Sequence, residues 1–209
     1  MSGKAPGVVP TGIAAIPLAH GYVLAGGQSS RMGRDKALLE LEGATLLRRA
    51  FDLLVSVCGA ATVVGPRARY SSLGLPLIED ARQGCGPLAG IEAALADCSS
   101  RAAAPWALVV ACDMPGLERD ALAALLDEAA HAAGAHAVVP VSADGRREPL
   151  CALYRPEALD AVRKQLETGH FKLLDLIALL PSRVVRMDRP HHFLNVNRPE
   201  DWEALHVRG

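Results

Sequence analysis

Uninterrupted apolar runs alternate along the chain with longer segments in which apolar residues recur at helical spacing. The apolar runs that predict buried strands lie in GYVLAGG, ATVVG, LPLIED, WALVVACDMP, HAVVPV, PLCALYR and RVVRM. Helical spacing predicts helices over residues 46–57, 87–98, 118–134, 156–168 and 171–180, the third of them ending at Gly134. A loop through HHFLNVNRPED and a short C-terminal helix complete the predicted order of elements.

The predicted strands are apolar throughout instead of alternating between apolar and polar residues. Such strands are buried on both faces, and their alternation with helices is typical of parallel sheets. We therefore predict a three-layer, Rossmann-like α/β fold with a mostly parallel central sheet and helices on both faces. In such sheets ligands bind beyond the carboxyl ends of the strands. Gly26, Gly27, Asp80 and Asp113 each follow a predicted strand and are expected to line one crevice.

The length, the charge and the cysteine content narrow the class of protein. A chain of 209 residues suits one domain, and its formal net charge of -1 gives no overall attraction to nucleic acid or an anionic membrane. It contains no apolar stretch of about 18 residues that would span a membrane. The five cysteines are scattered, without a Cys-x-x-Cys pair. We expect a reduced cytoplasmic protein without a disulfide framework or a zinc site.

The first residues of the chain are mildly apolar but are interrupted by Pro6, Pro10 and Pro17. This stretch lacks the unbroken apolar core of a signal peptide. We expect residues 1–18 to form a loose leader and residues 19–209 to form the folded domain.

The stretch LAGGQSSRMGRDKA, residues 24–37, places glycines and cations directly after the first predicted strand. It is not a P-loop, because Gly33 is followed by Arg34 and Lys36 by Ala37, which leaves no hydroxyl group for magnesium. It is not a dinucleotide fingerprint either, because its glycines have a different spacing.

A polar loop rich in hydrogen-bond donors follows from this composition. Gly26 and Gly27 let the backbone approach a ligand, and successive N–H groups form a concavity that suits anions. Arg31 and Lys36 add positive charge for phosphate oxygens. From the residues alone two interpretations stay open: a loop that holds a nucleoside triphosphate, or an ordinary polar turn with solvated charges.

Asp113 follows WALVVAC, so a buried strand delivers its carboxylate to the mouth of the predicted crevice. An aspartate in this place commonly holds Mg²⁺, which prefers carboxylates and phosphate oxygens. The alternative is a turn or helix-capping acid before Pro115. Cys112 beside it is expected to be a small buried strand residue and not a nucleophile.

Several segments, taken in order, resemble the molybdenum cofactor guanylyltransferases of the nucleotidyltransferase superfamily. These segments are LAGGQSSRMGRDKALLEL, LPLIEDARQGCGPLAGIEAAL, VVACDMPGL, EPLCALYRP and FLNVNRPEDW. The resemblance runs from about residue 20 to the end of the chain, and L-A-G-G-x-S-x-R-M-G-x-D-K is its most specific string. It implies a cytoplasmic, Mg²⁺-dependent enzyme with a nucleotidyltransferase fold.

The resemblance also implies a reaction and partners. GMP would be transferred from GTP to molybdopterin, or to its molybdenum-loaded form, with release of pyrophosphate. Transient contacts with proteins that supply the cofactor and with molybdoenzyme-maturation proteins are implied, and neither nucleic acid nor a membrane is. Residues from about 19 to 140 would form the nucleotide-binding half of the domain, and residues from about 141 to 209 the acceptor-binding half.

Roles for individual residues come from the same resemblance. The catalytic group would comprise Arg31 and Lys36 on the triphosphate and Asp113 on Mg²⁺. The residues that would contact GTP are Leu24, Ala25, Gly26, Gly27, Lys36, Asp80, Pro87, Leu88, Ala89, Gly90 and Asp113. Those that would face the molybdopterin acceptor are Arg147, Asn195 and Asn197.

Two positions bear on the nucleotide. The family has an asparagine where VVGPR places Gly65, which puts a side-chain contact at that position in doubt. A related CTP-using family has alanine where this chain has Gly26, and the extra room beside the base favours a purine. A CTP-dependent cytidylyltransferase, a sugar-phosphate nucleotidyltransferase and a non-catalytic GTP-binding sensor are the alternative functions.

Two further groups of polar residues have an open interpretation. Arg146, Arg147 and Glu148 form a charged loop that is either a solvated turn or a site for the anionic phosphate of the acceptor. His191 and His192 are adjacent, and adjacent residues in an extended chain point apart. We therefore do not expect these two histidines to share a metal ion, and contact of one of them with the pterin stays open.

Overall fold

The computed structural model describes residues 18–26, 35–80, 82, 84–101, 104–196 and 199–206. Its strands are β1 (Ala19–Leu24), β2 (Glu40–Leu41), β3 (Ala44–Thr45), β4 (Ala61–Val64), β5 (Leu77–Ile78), β6 (Trp106–Ala111), β7 (Ala137–Ser142), β8 (Cys151–Tyr154) and β9 (Ser182–Met187). Its α-helices are α1 (Leu46–Cys58), α2 (Arg67–Tyr70), α3 (Pro87–Ser100), α4 (Arg119–Ala130), α5 (Leu159–Glu167), α6 (Leu173–Leu179) and α7 (Pro199–His206).

One seven-stranded sheet, in the order β5-β4-β1-β6-β8-β7-β9, forms the centre of the molecule. Strand β8 runs antiparallel to β6 and β7, and the other neighbouring strands run parallel. The register pairs Leu24 of β1 with Val64 of β4 on one side and with Ala111 of β6 on the other. The predicted mostly parallel sheet is confirmed, and the carboxyl ends of β1, β4 and β6 lie at one edge.

Two hydrophobic cores cover the two faces of this sheet. Successive residues of β6 alternate between them, with Leu108 and Val110 on the side of α1 and α4, and Ala107 and Val109 on the side of α3, α5 and α6. Because both faces are buried, apolar side chains are favoured on both, which explains the uninterrupted apolar runs. The buried polar side chains of His20 and Thr62, in β1 and β4, are hydrogen-bonded to each other. The three-layer arrangement predicted from those runs is confirmed.

Local signals set most helix boundaries. The Thr45 side chain accepts a hydrogen bond from the N–H of Arg48 at the start of α1, and Gly59 ends this helix with a φ of 77°. Pro87 occupies the first turn of α3, where no N–H is needed. The prediction that the next helix reaches Gly134 is wrong: α4 ends at Ala130, and tight turns lead the chain towards β7.

Some short elements have no counterpart in the sequence prediction. These are the hairpin of β2 and β3, the single turn of α2, and a 3-10 helix over Pro190–Phe193 inside the predicted loop. Each is too short to show apolar periodicity. In the described part of the chain, every helix is too short or too polar to cross a membrane.

Candidate active site

A cleft of about 210 Å³ opens where β1, β4 and β6 end. Its walls come from these strand ends, from the start of α3, from a 3-10 helix over Lys36–Leu38 and from the loop before β8. The lining residues are Leu24, Ala25, Gly26, Asp35, Lys36, Ala37, Val64, Asp80, Gly86, Pro87, Gly90, Ala111, Cys112, Asp113 and Leu150. Segments far apart in the sequence thus meet in one crevice, as the strand-end rule predicts.

Lys36 begins the 3-10 helix, and the residue before it fixes that helix. The carboxylate of Asp35 accepts a hydrogen bond from the N–H of Ala37. The same carboxylate accepts the hydroxyl of Tyr70, at 3.1 Å for Oδ1 and 2.9 Å for Oδ2, and lies 3.6 Å from Arg69. Tyr70 is 1% exposed, so it is a rigid support. The backbone that carries Lys36 is therefore anchored to α2 on the neighbouring side of the cleft.

Asp113 faces Lys36 in the cleft. Nζ of Lys36 lies 3.8 Å from Oδ2 of Asp113, and their side chains are 17% and 24% exposed. Burial raises the pKa of Asp113, and the nearby Lys36 partly opposes this shift. A half-buried carboxylate whose charge is only partly compensated has a net affinity for a further cation. Asp113 lies in the turn that follows β6, and the N-cap position of α4 belongs to Glu118, so Asp113 does not cap this helix.

The residues of the opposite wall separate into two groups. Pro87 and Gly90 face the cleft, as does Asp80, whose pKa is raised by burial and by the neighbouring Glu79. Leu88 is fully buried and packs in the core between α3 and the sheet. Its side chain therefore cannot line the cleft, which corrects the expectation that it lies on the nucleotide.

Two glycines let the ends of β1 and β4 approach closely. A Cβ on Gly65 would collide with the carbonyl oxygen of Ala25 and would lie 2.9 Å from Cε2 of Tyr70. Gly26 has a φ of 126°, and a Cβ there would lie 2.8 Å from Cδ of Pro66. Position 65 thus has no room for a side chain. Glycine at position 26 has a backbone reason that is independent of the size of any base.

The predicted acceptor residues lie in two places. Asn195 is half-buried and its Oδ1 has no hydrogen-bond partner among the described residues, while the next N–H, of Val196, donates to the carbonyl of Asp113 at 3.0 Å. Asn195 is thus held close to the cleft. Arg147 is exposed and lines a separate hollow with Gly145 and Leu174. The structure does not place it on the wall of the main cleft.

Some predicted residues lie outside the described part of the chain, namely Gly27, Arg31 and Asn197. Cys112 lines the cleft directly after the end of β6, and burial raises the pKa of its thiol, which disfavours the thiolate that a nucleophile needs. Cys85 is half-buried on the loop before α3.

Sequence reasoning missed the support of Lys36 by Asp35 and Tyr70. Asp35 carried a signal, because an aspartate before a short helical segment is a common cap. Tyr70 carried none, because its contact with Asp35 joins residues 35 positions apart.

A divalent cation fits the donor set of this cleft. Burial raises the pKa of the Asp113 carboxylate, and Lys36 offsets only part of this shift, so a further cation near the carboxylate would be favourable. Mg²⁺ usually takes one or two protein carboxylates together with phosphate oxygens. Asp113 is therefore the residue that would hold such an ion.

The fold and the position of the cleft at the strand ends together define a nucleotidyltransferase of the Rossmann-like type. Residues 21–184 match the family described as the MobA-like NTP transferase domain. The chain belongs to this family, and within it to the molybdenum cofactor guanylyltransferases.

Individual relatives agree with this assignment. The chain is 38% identical over 189 residues to a probable molybdenum cofactor guanylyltransferase of Opitutus terrae, covering 87% of this chain and 91% of the relative. It is 35% identical over 196 residues to the molybdenum cofactor guanylyltransferase of Cupriavidus taiwanensis, covering 90% and 96%. Molybdopterin-guanine dinucleotide biosynthesis protein A of Archaeoglobus fulgidus has a similar structure, with a TM-score of 0.74, 25% identity and coverage of 90% and 97%.

Proposed function

We propose that this protein transfers GMP from GTP to molybdopterin or its molybdenum-loaded form, producing the guanine dinucleotide form of the cofactor and pyrophosphate. The observation that carries the proposal is the Lys36–Asp113 pair, a cation and a half-buried carboxylate that face each other at the strand ends. The guanylyltransferase names of the relatives support the choice of GTP and molybdopterin as substrates.

The nucleotide half of the site follows from the cleft. Leu24, Ala25 and Gly26 present backbone to the cleft, and Pro87 and Gly90 form a small, apolar wall opposite them. Such a slot suits the flat base and the ribose, while Lys36 at its mouth suits the triphosphate. Arg31 and Gly27 complete the phosphate loop in this proposal.

The chemical step needs no general base. A phosphate monoester has a second pKa of about 6, so the terminal phosphate of molybdopterin is already ionised at neutral pH. One of its oxygens attacks the α-phosphorus of GTP, the bond from that phosphorus to the bridging oxygen breaks, and pyrophosphate leaves with the electron pair. Lys36 and Arg31 would neutralise the charge that builds up on the α-phosphate and on pyrophosphate.

Asp113 would hold Mg²⁺ in this proposal. When bound, the ion supplies charge compensation to the phosphate oxygens of GTP. Asp80 would lie at the nucleoside, where its raised pKa fits a site from which water is partly excluded.

The acceptor would approach from the side of Asn195. Oδ1 of Asn195 is buried without a hydrogen-bond partner among the described residues, which is costly unless a ligand donates to it, and the pterin ring system is rich in N–H donors. Asn197 would act beside it, and Arg147 would take part only if the anionic phosphate of the acceptor reached the separate hollow that Arg147 lines. We place the reaction in the cytoplasm, where proteins that supply the cofactor and that mature molybdoenzymes would meet the enzyme transiently.

The deciding experiment incubates the pure protein with molybdopterin, Mg²⁺ and each of the four nucleoside triphosphates in turn. We expect pyrophosphate and a guanine dinucleotide product with GTP alone. A cytosine dinucleotide product from CTP would make the protein a cytidylyltransferase. Tight GTP binding without release of pyrophosphate would make it a GTP sensor and would overturn the proposal.

A further inference from the structure

Glu118, His191 and His192 form a cluster, here called the histidine cluster, outside the cleft. Their ligand atoms all lie within 4.8 Å of one another, and within the described ranges no other group of three or more histidine, cysteine or acidic side chains converges in this way. Glu118 occupies the N-cap position of α4 without a side-chain capping hydrogen bond, and both histidines belong to the 3-10 helix over Pro190–Phe193.

The 3-10 helix is what brings the two histidines together. An extended chain would point their rings apart, and this was the reason for expecting no shared metal ion. In the structure the rings pack edge to face with centroids 4.6 Å apart, and both Nε2 atoms approach Oε2 of Glu118. The premise of that expectation is therefore wrong.

The distances in the cluster are close to those of a metal site. Nε2 of His192 lies 3.2 Å from Oε2 of Glu118, and Nε2 of His191 lies 3.7 Å from the same oxygen. In a tetrahedral zinc site with bonds of about 2.0 Å, neighbouring ligand atoms are about 3.3 Å apart. Small rotations of the two exposed side chains, Glu118 and His191, would be sufficient to reach this geometry.

The backbone around the cluster is already ordered. A Cβ on Gly116 would collide with the carbonyl oxygen of His191, so the loop before α4 packs directly against the 3-10 helix. The side chain of His192 is 4% exposed, and its Nδ1 is buried without a hydrogen-bond partner in the described part of the chain. Within the described ranges, the polar contacts of this ring are therefore made by Nε2, the atom that faces Glu118.

Arg189 competes for the same carboxylate. Its Nη1 lies 3.0 Å from Oε2 of Glu118 and 2.7 Å from Oδ2 of Asp120. Because the contact with Asp120 is the shorter of the two, Arg189 would keep its ion pair with Asp120 when a metal ion binds Glu118. Oδ1 of Asp120 lies 3.9 Å from Nε2 of His192, which leaves water or Asp120 as the fourth ligand.

We infer that Glu118, His191 and His192 bind a divalent metal ion of the zinc type. Two imidazole nitrogens and one carboxylate suit Zn²⁺ or Co²⁺ and disfavour Mg²⁺, which prefers oxygen ligands alone. The site is thus chemically distinct from the one at Asp113. Its ion joins the loop that follows Asp113 to the segment that carries Asn195, so it stiffens the side of the cleft where the acceptor would approach.

The test measures metal binding by the complete, untagged, apo protein, so its outcome does not depend on guanylyl transfer. We expect one Zn²⁺ per chain by equilibrium dialysis with metal analysis, a higher melting temperature with Zn²⁺, and a visible absorption band with Co²⁺ as a probe. Mg²⁺ at the same concentration should not displace the Co²⁺ band.

Variants locate the ion. His191→Ala and Glu118→Gln change exposed side chains, so folding should persist, and each should weaken Zn²⁺ binding by about tenfold or more. Arg189→Ala should leave it as tight or tighter, and His131→Ala, an exposed histidine elsewhere, should leave it unchanged. Unaltered Zn²⁺ affinity and Co²⁺ spectrum in the His191→Ala and Glu118→Gln proteins, or no bound Zn²⁺ in the parent, would overturn the inference.

Discussion

Nζ of Lys36 and Oδ2 of Asp113 lie 3.8 Å apart, one on the 3-10 helix that follows the glycine turn and the other just beyond the central strand β6. In the absence of nucleotide each side chain supplies the counter-charge of the other. A nucleotide that arrives with its metal ion would offer both of them new partners, phosphate oxygens for Lys36 and the cation for Asp113. The pair therefore holds both side chains in the cleft before the substrate binds.

Replacing the cation tests the phosphate role of Lys36. We expect Lys36→Ala to lower turnover by roughly a hundredfold, because a preorganised donor to developing charge is worth about 3 kcal/mol. Pyrophosphate release with GTP and molybdopterin measures the effect. Lys164→Ala, an exposed lysine on α5, is the matched control. Near-parental turnover of a folded Lys36→Ala protein would contradict the role.

Replacing the carboxylate tests the metal role of Asp113. We expect Asp113→Asn to lower turnover by roughly a hundredfold and to weaken its dependence on Mg²⁺, because the amide lacks the negative charge that holds the ion. A Mg²⁺ titration of the rate provides the measurement, with Asp127→Asn on the exposed side of α4 as control. An unchanged titration curve would remove Asp113 from the metal site.

The hydroxyl of Tyr70 is expected to act on catalysis through Asp35. Tyr70→Phe removes the bond that fixes the Asp35 carboxylate, so we expect kcat to fall by about tenfold and KM for GTP to change less. Tyr154→Phe is the control, because its hydroxyl donates to the carbonyl of Pro149 and not to Asp35. Equal losses of kcat in the two variants would mean that Tyr70 has only a structural role.

The ends of β1 and β4 lie so close together at Gly65 that even a substitution by alanine should strongly destabilise the fold. A methyl group on Gly65 would overlap the carbonyl of Ala25, so Gly65→Ala should lower the free energy of unfolding by about 2–3 kcal/mol. In Gly90→Ala the added Cβ would meet only the flexible end of Leu24, at 3.1 Å, so its effect should be small. Denaturant unfolding compares the two, and similar stabilities would refute the prediction.

Asp97 gives the fold a pH-dependent contribution. Burial alone would raise the pKa of Asp97, but hydrogen bonds from Arg101 and Tyr22 outweigh it and hold this pKa below its usual range. The resulting stability is therefore present above the unfolded pKa of about 3.9 and is lost as the pH falls through the lower folded value.

Tyr22→Phe tests this contribution. It should lower the free energy of unfolding by about 2 kcal/mol at neutral pH, and this loss should shrink in acid as Asp97 becomes protonated. Tyr154→Phe breaks a bond to a neutral carbonyl, so its cost should stay constant over the same range. Unfolding curves at several pH values give the comparison, and parallel pH profiles for the two variants would contradict the role of Asp97.

The main architecture was predictable because burial on both faces of the sheet favours an apolar residue at nearly every position of a strand. The crevice followed from it, since Gly26, Asp80 and Asp113 come after strands whose ends meet at one edge. Leu88 was also predictable as a core residue, because its spacing from Ile91 and Leu95 places all three on one helix face. For Leu88 the family resemblance suggested a contact with GTP, whereas the helical spacing of the sequence already indicated a core position.

Other features depend on contacts that leave no local pattern. The bond between Tyr70 and Asp35 joins separate elements, and the close approach of Gly116 to His191 joins residues 75 positions apart. The 3-10 helix at the adjacent histidines is too short for periodicity, although Pro190 at its first position was a usable signal. Such contacts arise from the packing of the whole domain, so no window of sequence contains them.

The pairing of Leu24 with Ala111 has a consequence for how this protein can change. Gly26 and Asp113 each lie two residues beyond that pair, so the strand ladder acts as a ruler that sets one against the other. Adding one residue inside β6 would displace the carboxylate by about 3.3 Å and turn it to the opposite side of the sheet. Repacking can accommodate substitutions in these strands, but it cannot accommodate insertions or deletions. When loops are exchanged between relatives, the junctions should therefore be placed after Leu24 and after Ala111.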